Sequence, residues 1–355
     1  MQIRSGGYRV YFENSDFSYF EEFMHENLFS SVFILCDKNT RRHCLPIFLE
    51  KNSSLAGARI LTMPAGEQHK TLSTLSVVWS FLMSNGADRR SLLICLGGGV
   101  VCDLGGFAAS TFKRGISFVH VPTTLLAMAD ASVGGKTGID FKGFKNSIGT
   151  ITQPQGVFIC EDFLNTLNKR QIDNGLAEVI KAGLIADVKL WRRFQKMKRL
   201  PSRNLGALIR SSVKVKNEIV LQDPNEKNLR KVLNFGHTAG HAIESYFLKK
   251  KRNLLHGEAI AMGMAVELCL GKQLKRTEPK TALQVFQWLK KHYTLKKFSK
   301  QEVHAFVNLV KQDKKNQSGR MNFALIEKPG KALINIYASA EKIKEAFYLY
   351  NNLLS

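Results

Sequence analysis

Three of the chain's nine histidines lie between residues 234 and 258, together with two carboxylates, in sequence that favours helices. His237 and His241 are four residues apart in NFGHTAGHAIE, so both fall on one face of a predicted helix. His256 begins a second apolar-periodic run, HGEAIAMGMAVE. Imidazoles grouped in this way are typical of metal ligands, which predicts an enzyme. The alternative is a pair of core histidines that hydrogen-bond within the protein.

A further carboxylate lies upstream on an apolar helical pattern. The segment GLAEVIK (Gly175–Lys181) puts Glu178 and Lys181 three residues apart on one helical face. A buried carboxylate needs a partner, and either an ion pair with Lys181 or a metal ion would supply one. A Glu/His/His site with an open position would polarise hydroxyl or carbonyl oxygens as a Lewis acid.

A glycine-rich turn indicates a phosphate site. SLLICLGGGVVCDLGGFAA combines an apolar strand, the triple glycine Gly97–Gly99 and a helix predicted to carry Asp103 in its first turn. Such a turn lets the backbone approach a pyrophosphate and offers the free N–H groups of a helix start. The spacing is not GxGxxG, so a plain tight turn is the alternative. Upstream, AGEQHK (Ala65–Lys70) predicts either a second wall of a nucleotide site or a polar helix start.

A polar, glycine-rich stretch, VPTTLLAMADASVGGKTGIDFKGFKNSIGTITQP, carries Asp130, Lys136, Lys145 and Asn146. Lysines among glycines and small residues suit the binding of phosphate or carboxylate oxygens. A surface loop with solvated lysines fits the same residues equally well.

Two kinds of scaffold are predicted to position these residues. Residues 1–160 alternate β-rich and helical runs, as an α/β nucleotide-binding domain does, and residues 1–14 are predicted to form its first strand. Residues 161–355 are dominated by amphipathic patterns, which predicts a mainly α-helical, metal- and substrate-binding domain, with the active site in the cleft between the two. The predicted strands are Ser31–Asp37, Ala58–Met63, Ser91–Leu96, Ile116–Val121, Met321–Ile326 and Leu333–Ile336, and the predicted helices of the first domain are Thr71–Asn85 and Val100–Phe112.

Composition excludes several classes of protein. The 355-residue chain has no apolar run long enough to span a bilayer and no cleavable signal at its start, so a membrane partner is not expected. The net charge of +23 comes from dispersed residues whose longest runs are Lys249–Arg252 and Lys196–Arg199, which does not favour nucleic-acid binding. Six cysteines without a CxxC pair predict buried, reduced thiols in a cytoplasmic protein.

Eight segments of the chain, taken in order, resemble the 3-dehydroquinate synthases of the sugar phosphate cyclase group. They are GGGVVCDLGGFAA, RGI, VPTTLLAMADASVGGKTGID, KNSIGT, GLAEVIKAGLI, LNFGHTAGHAIE, HGEAIAMGM and DKK, and they span roughly residues 60 to 320. Chance agreement on one motif is plausible, but agreement on all eight is not.

The resemblance implies a reaction of the shikimate pathway, which leads to the aromatic amino acids. The implied enzyme converts 3-deoxy-D-arabino-heptulosonate 7-phosphate to 3-dehydroquinate and phosphate by transient oxidation with NAD, phosphate elimination, re-reduction and intramolecular aldol closure. NAD is then a catalytic cofactor, and the implied metal is zinc, with cobalt as the alternative. The base for elimination is either the substrate's own phosphate or that phosphate assisted by His241.

The resemblance also implies roles for individual residues. The metal ligands are Glu178, His237 and His256, and His241 faces the substrate. The residues of the NAD site are Asp37, Glu67, Lys70, Gly99, Val100, Val101, Cys102, Asp103, Thr123, Thr124, Lys136, Lys145, Phe163, Leu164, Asn165 and Thr166. The residues of the substrate site are Asp130, Lys136, Asn146, Lys181, Lys216, Arg230, Asn234, His241 and Lys314, with Arg114 reaching the phosphate in the neighbouring subunit of a homodimer.

Two departures and two alternatives accompany the resemblance. Cys102 stands where the family usually has glycine, which predicts an altered NAD affinity, and Pro224 replaces a common acidic residue.

The alternatives are a related sugar phosphate cyclase and a metal-dependent polyol dehydrogenase. A substrate without a carboxylate would not need Lys216, Arg230 and Asn234, and a polyol dehydrogenase would not need so many phosphate-directed lysines.

Overall fold

The structure is a computed structural model that describes residues 1–142, 144–311 and 321–355. The chain divides into two compact units. Unit 1 comprises Met1–Gly175 and Arg203–Asn217, and unit 2 comprises Leu176–Ser202 and Glu218–Ser355. Packing units and domains need not coincide, so the predicted domains 1–160 and 161–355 stay a prediction.

Unit 1 is built on a seven-stranded sheet in the order β1-β2-β9-β6-β5-β3-β4. Its strands and those of a separate hairpin are β1 (Gln2–Ser5), β2 (Tyr8–Glu13), β3 (Val32–Asp37), β4 (Arg59–Met63), β5 (Leu92–Gly97), β6 (Ser117–Pro122), β7 (Lys136–Phe141), β8 (Phe144–Ile151) and β9 (Gly156–Cys160). Its helices are α1 (Ser18–Glu26), α2 (Lys38–His43), α3 (Leu45–Lys51), α4 (Leu72–Ser84) and α5 (Gly99–Thr111).

The centre of this sheet is parallel and apolar. Strand β5 pairs in parallel with β3 and β6, and every residue of its sequence LLICLG is buried. A parallel strand covered on both faces is expected to read as one continuous apolar run, and the sequence does so here. The four strands and two helices predicted for this region are confirmed, with ends shifted by one residue in most cases.

The prediction of one strand over residues 1–14 is wrong, because that segment is a hairpin. Gly6 and Gly7 have φ values of 37° and 103° and form the turn between β1 and β2. Strand β2 then pairs in parallel with β9.

The glycine-rich stretch of unit 1 is also not a loop. Strands β7 and β8 pair as an antiparallel hairpin, preceded by a π-helical turn at Ala127–Ala131. A Cβ atom on Gly149 would lie 2.0 Å from the Thr137 carbonyl oxygen of the facing strand. This glycine therefore permits the close approach of two strands. The sequence left open whether the stretch binds an anion or is a surface loop, and neither alternative included a hairpin.

The remaining helices and strands form most of unit 2. They are α6 (Lys169–Ile185), α7 (Val188–Gln195), α8 (Gly206–Gln222), α9 (His237–Lys249), α10 (His256–Gln273), α11 (Pro279–His292), α12 (Lys300–Lys311), β10 (Met321–Lys328), β11 (Lys331–Ala338) and α13 (Ala340–Leu354). Helix α6 begins in unit 1 and ends in unit 2, and α8 ends just beyond unit 1. Strands β10 and β11 form an antiparallel hairpin, which confirms both strand predictions for this half of the chain.

Helices α9 and α10 pack closely through glycine. A Cβ atom on Gly263 of α10 would lie 2.0 Å from the Gly236 carbonyl oxygen and 2.6 Å from the Gly240 amide nitrogen. Each helix begins with one of the histidines that the sequence predicts to bind metal, so this contact sets the spacing of the site.

No helix in the described parts of the chain is both long enough and apolar enough to cross a membrane. All six cysteines are buried and unbridged, as predicted.

Candidate metal and nucleotide sites

Glu178 and two histidines converge within unit 2. Helix α6 buries Glu178 at 1% exposure. Its Oε1 lies 3.6 Å from Nε2 of His237 and 3.4 Å from Nε2 of His256. Two donors bound to a tetrahedral zinc ion at about 2.0–2.1 Å are roughly 3.3 Å apart, so each of these two distances is close to that between two ligands of one ion.

The two histidines are oriented by their other ring nitrogens. Nδ1 of His237 lies 3.2 Å from the Phe235 carbonyl oxygen, and Nδ1 of His256 lies 3.3 Å from Oε2 of Glu244. A carbonyl or carboxylate oxygen accepts a hydrogen bond from Nδ1–H, and in that tautomer the Nε2 lone pair is free to bind a metal ion. This is the usual outer arrangement around metal-binding histidines. Glu244 is one of the two carboxylates in the histidine-rich segment, but the sequence predicted no role for it.

His241 belongs to the same cluster. Its ring centroid is 5.0 Å from that of His237 and 5.8 Å from that of His256. The nearest ring nitrogens of the three histidines all lie within 4.8 Å of one another. Two ligand sets are therefore geometrically possible, both containing His237 and His256, with either Glu178 or His241 as the third member.

Electrostatics favour a cation at this cluster. Burial raises the pKa of Glu178, but the Lys181 ammonium and His256 outweigh it and lower that pKa to about 2. Burial lowers the pKa of His256, whereas the carboxylates of Glu244 and Glu178 raise it to about 10. Carboxylates that hold a proton on an imidazole would equally hold a metal ion in its place.

Lys181 links the cluster to the turn that precedes α9. Its Nζ lies 2.5 Å from Oε2 of Glu178 and donates to the Leu233 carbonyl oxygen at 2.8 Å. Among the residues that the structure describes, neither oxygen of Glu178 accepts a hydrogen bond of good geometry, despite this ion pair. A buried carboxylate with Lys181 at one oxygen and two imidazoles near the other fits a metal ion at the second oxygen.

Two predicted substrate residues lie in the 3₁₀ turn Leu229–Asn234, which leads into α9. The Arg230 side chain is 1% exposed and donates to the Pro224 carbonyl oxygen at 2.6 Å. The Asn234 side chain donates to Oε1 of Glu226 at 2.7 Å. Glu226 was also missed, since an isolated acidic residue in a polar turn gives no sequence signal.

A charged cluster in unit 1 gathers several of the predicted NAD and substrate residues. The buried Lys70 ammonium contacts both the Asp103 carboxylate and the Asn146 side-chain oxygen. Lys145 Nζ lies 3.0 Å from Oε1 of Glu67. Burial alone would lower the pKa of Lys70, but the Asp103 and Glu67 carboxylates raise it. Lys70 is therefore charged at neutral pH.

Asp140 holds this charged cluster in place and was missed by the sequence analysis. Asn146 has a φ of 48°, a left-handed value that is unusual for a residue within a strand. Its N–H donates to Oδ1 of Asp140 at 2.8 Å, and the Asp140 N–H donates to the Lys70 carbonyl oxygen at 2.8 Å.

Asp130 and Lys216 form an ion pair within unit 1. Lys216 Nζ lies 2.8 Å from Oδ1 of Asp130 and donates to its carbonyl oxygen at 2.6 Å. Lys136 lies exposed at the start of β7.

The glycine turn lies at the point where the strand order of the sheet reverses. Strand β3 continues to its neighbour β4 on one side, whereas β5 continues to β6 on the other. The crevice between the carboxyl ends of β3 and β5 is the place where dinucleotides bind in such sheets. Asp37 ends β3, and Gly97–Gly99 end β5 and begin α5.

The neighbours of this turn are tightly fitted. A Cβ atom on Gly98 would lie 3.1 Å from the Thr124 methyl carbon, and the Thr123 N–H donates to the Gly97 carbonyl oxygen at 3.0 Å. Asp103 follows the first turn of α5, so its predicted place in that turn is wrong. Asp37 accepts the N–H of Thr40 at 2.9 Å and thereby caps α2.

The remaining predicted residues are placed as follows. Val100 and Val101 lie in the first turn of α5, and the next residue, Cys102, is fully buried, where burial raises the pKa of its thiol. Phe163 and Leu164 are buried in the 3₁₀ turn Glu161–Thr166, whereas Asn165 and Thr166 are exposed there. Arg114 is exposed and has a φ of 70°. Lys314 lies outside the described residues.

Comparison with known proteins decides the family. The family model of the 3-dehydroquinate synthase N-terminal region matches residues 60–174, and that of the C-terminal region matches residues 175–316. A 3-dehydroquinate synthase of Parabacteroides distasonis is 41% identical, over 93% of this chain and 94% of its own length. This chain belongs to the 3-dehydroquinate synthase family. The resemblance drawn from the eight motifs is confirmed.

Another family member agrees with this assignment, and solved structures share the fold. The 3-dehydroquinate synthase of Thermoanaerobacter pseudethanolicus is 37% identical over 97% of this chain and 98% of its own length. A 2-deoxy-scyllo-inosose synthase solved with carbaglucose-6-phosphate, NAD⁺ and Co²⁺ has a TM-score of 0.84 at 24% identity, covering 98% and 99% of the two chains. The 2-epi-5-epi-valiolone synthase of Streptomyces hygroscopicus, solved with NAD⁺ and Zn²⁺, has a TM-score of 0.79 at 24% identity, covering 99% and 98%. These structures share the fold, and the predicted fold class of an α/β region followed by a mainly helical one is confirmed.

Proposed function

We propose that this chain is a 3-dehydroquinate synthase that converts 3-deoxy-D-arabino-heptulosonate 7-phosphate to 3-dehydroquinate and phosphate. Its family membership supports the reaction. One structural observation carries the proposal furthest, namely the convergence of two Nε2 atoms on the buried Glu178 oxygen at 3.4 and 3.6 Å. That arrangement has little purpose in a protein without a metal-dependent activity.

We assign the metal ion to Glu178, His237 and His256, with zinc as the expected ion and cobalt as an alternative. The mixed carboxylate and imidazole donor set suits either ion. When bound, the ion supplies Lewis acidity that makes substrate hydroxyl groups easier to deprotonate. His241 is then a neighbour that can hold or pass a proton near the substrate phosphate, and Lys181 keeps Glu178 ionised.

We assign NAD to the carboxyl ends of β3 and β5. Glycine at the start of α5 leaves room for a pyrophosphate, and the first N–H groups of that helix point toward such a group. Asp37 is placed to accept ribose hydroxyl hydrogens. When bound, NAD supplies reversible hydride transfer. The residues proposed to surround it are Glu67, Lys70, Gly99, Val100, Val101, Cys102, Asp103, Thr123, Thr124, Lys136, Lys145, Phe163, Leu164, Asn165 and Thr166.

We assign the remaining polar residues to the two ends of the substrate. Cationic and amide groups suit its carboxylate, and we give this role to Lys216, Arg230 and Asn234. Lys136, Asn146 and the undescribed Lys314 are assigned to the phosphate, and Asp130 orients Lys216 through their ion pair. Several fixed charges around one anion would retain a reactive intermediate until its ring closes.

We further propose a homodimer in which Arg114 of one subunit reaches the substrate phosphate of the other. Its exposed position and left-handed backbone support a role that packing within one subunit does not explain. Buried, unbridged thiols support a cytoplasmic location.

A comparison of two substrates tests the proposed specificity. Purified protein with NAD and zinc is offered the heptulosonate phosphate or sedoheptulose 7-phosphate, which lacks the carboxylate, and the products are analysed by mass spectrometry. The proposal expects 3-dehydroquinate from the first and no carbocycle from the second. Turnover of sedoheptulose 7-phosphate alone would assign the chain to another cyclase.

A further inference from the structure

We infer that Glu267 is a positioning residue that fixes the metal-binding end of α9, an inference that rests on the metal site proposed above. Glu267 lies in α10 and is fully buried. Its Oε2 accepts the N–H of Gly236 at 2.6 Å, and its Oε1 accepts the N–H of Ala239 at 3.0 Å. One carboxylate thus holds backbone groups on both sides of His237.

Helix α9 needs a cap from outside its own sequence. Its N-cap residue is Gly236, which has a φ of 80° and no side chain with which to cap the helix. No other residue fits there, because a Cβ atom would lie 2.5 Å from the Met264 side chain. The left-handed backbone at this position also favours glycine. The first N–H groups of a helix have no partner within the helix, so a buried helix start must find acceptors elsewhere.

Glu267 supplies those acceptors with a matching charge. An ionised carboxylate is the best partner for a helix start, because its hydrogen bonds are charge-assisted and the helix dipole is positive there. The two bonds reach different residues, so they fix both the position and the rotation of the first turn of α9. That turn carries His237, and His241 follows one turn later on the same face.

The arrangement is reciprocal between the two helices. Glu244 of α9 accepts from His256 at the start of α10, and Glu267 of α10 accepts from the start of α9. Glu244 contacts a proposed metal ligand, and Glu267 accepts backbone N–H groups on either side of another, His237. Glu267 therefore adds a second carboxylate to the support of the proposed metal site.

The test is a pair of matched substitutions, Glu267→Gln and Glu13→Gln. Glutamine keeps the volume of glutamate but presents one NH₂ group where two acceptors are needed. Glu13 is the control, because it is also buried and also accepts a backbone N–H near a helix start, that of Tyr19 in α1 at 3.2 Å. It lies in unit 1, outside the proposed sites.

Two quantities are measured on each full-length protein. One is the zinc dissociation constant, from competition with a chromogenic chelator. The other is the rise in unfolding temperature when zinc is added to metal-free protein. Loss of a supporting hydrogen bond near a metal ligand typically weakens binding by about 10- to 100-fold. We expect at least a ~10-fold weaker constant and a smaller zinc-dependent rise for Glu267→Gln, and wild-type values of both for Glu13→Gln.

The outcomes separate the inference from the proposed function. If the wild type binds no zinc, the proposed metal site fails. If the wild type and Glu267→Gln bind zinc equally well, the inference alone is overturned, whatever the substitution does to the stability of the metal-free protein. If Glu267→Gln does not fold, Glu267→Asp takes its place. Aspartate keeps the charge but is too short to reach both N–H groups, so zinc binding at wild-type strength in that variant would also contradict the inference.

Discussion

Glu178 owes its ionisation to its neighbours rather than to solvent. It is buried, yet its pKa is lowered to about 2 because Lys181 and His256 face it, with burial acting in the opposite direction. The sequence predicted the Glu178–Lys181 pair from a spacing of three residues and left open whether an ion pair or a metal satisfied it. The structure contains the ion pair, and two imidazoles lie near the other oxygen, so in the proposed site a metal ion would be an additional partner rather than an alternative.

Single alanine substitutions distinguish the two possible ligand sets. If the ligands are Glu178, His237 and His256, then Glu178→Ala loses zinc at equimolar supply, because a three-residue site cannot hold the ion with two, and His256→Ala loses it with either set. His241→Ala keeps zinc but lowers the rate of phosphate release by about 10²- to 10⁴-fold, the usual contribution of a group that assists proton transfer.

Metal content by mass spectrometry, beside the rate of phosphate release, provides the measurement. His304→Ala is the control, since His304 lies in α12 and is not among the histidines that cluster in the described structure. Loss of zinc from His241→Ala with retention in a Glu178→Ala variant would establish the three-histidine set instead.

Among the helices and strands, the sequence predicted those whose packing follows a regular pattern of apolar residues. The buried parallel strands β3, β5 and β6 were predicted from apolar runs in the sequence. The spacing of His237 and His241 predicted the helix that the structure contains as α9. The β7–β8 hairpin was missed because its glycines suggested a loop, whereas Gly138 and Gly149 face each other across the two strands. Cross-strand contact of this kind depends on pairing register, which local sequence does not encode.

Glycine at the α9–α10 contact is predicted to be essential for the metal site. In Gly263→Ala the new methyl group would lie 2.0 Å from the Gly236 carbonyl oxygen, so the helices must separate. Such overpacking typically costs about 1–3 kcal/mol of unfolding free energy. Because His237 follows Gly236 directly, we also expect zinc binding to weaken by at least ~10-fold.

The control for this substitution is Gly57→Ala, where a Cβ atom would meet nothing within 4 Å and φ is not positive. Urea denaturation and zinc titration are compared for both variants and the wild type. Equal stability and zinc affinity in all three proteins would show that the helix contact is less rigid than its geometry indicates.

In the whole molecule, the two sets of residues proposed to be functional lie in different units. The histidine cluster is formed within unit 2, and the glycine turn with its Lys70–Asp103 cluster is formed within unit 1. Both sets lie in segments that the sequence motifs singled out. The motifs did not predict roles for Asp140, Glu244 or Glu267. Asp140 and Glu267 accept hydrogen bonds from backbone N–H groups, and Glu244 lies against the His256 imidazole. These contacts depend on the fold and leave no signal in the local sequence.

Complementation between inactive variants tests the proposed homodimer. Arg114→Ala and Lys136→Ala should each be nearly inactive alone. When the two are mixed under subunit exchange, half of the dimers pair one variant with the other, and each mixed dimer regains one intact site, which gives about a quarter of wild-type activity. Two copies of Arg114→Ala mixed in the same way are the control. No recovery despite subunit exchange, measured by mass spectrometry of labelled protein, would show that each subunit uses its own arginine or none.

Phosphate release from the proposed substrate is the decisive measurement of the proposed activity. The protein is given 3-deoxy-D-arabino-heptulosonate 7-phosphate with NAD and zinc, and parallel reactions omit NAD or contain a chelator. We predict that phosphate appears only when both cofactors are present and that NADH does not accumulate, because the hydride returns to the substrate. Phosphate release that continues without NAD, or one NADH formed for each phosphate, would contradict it.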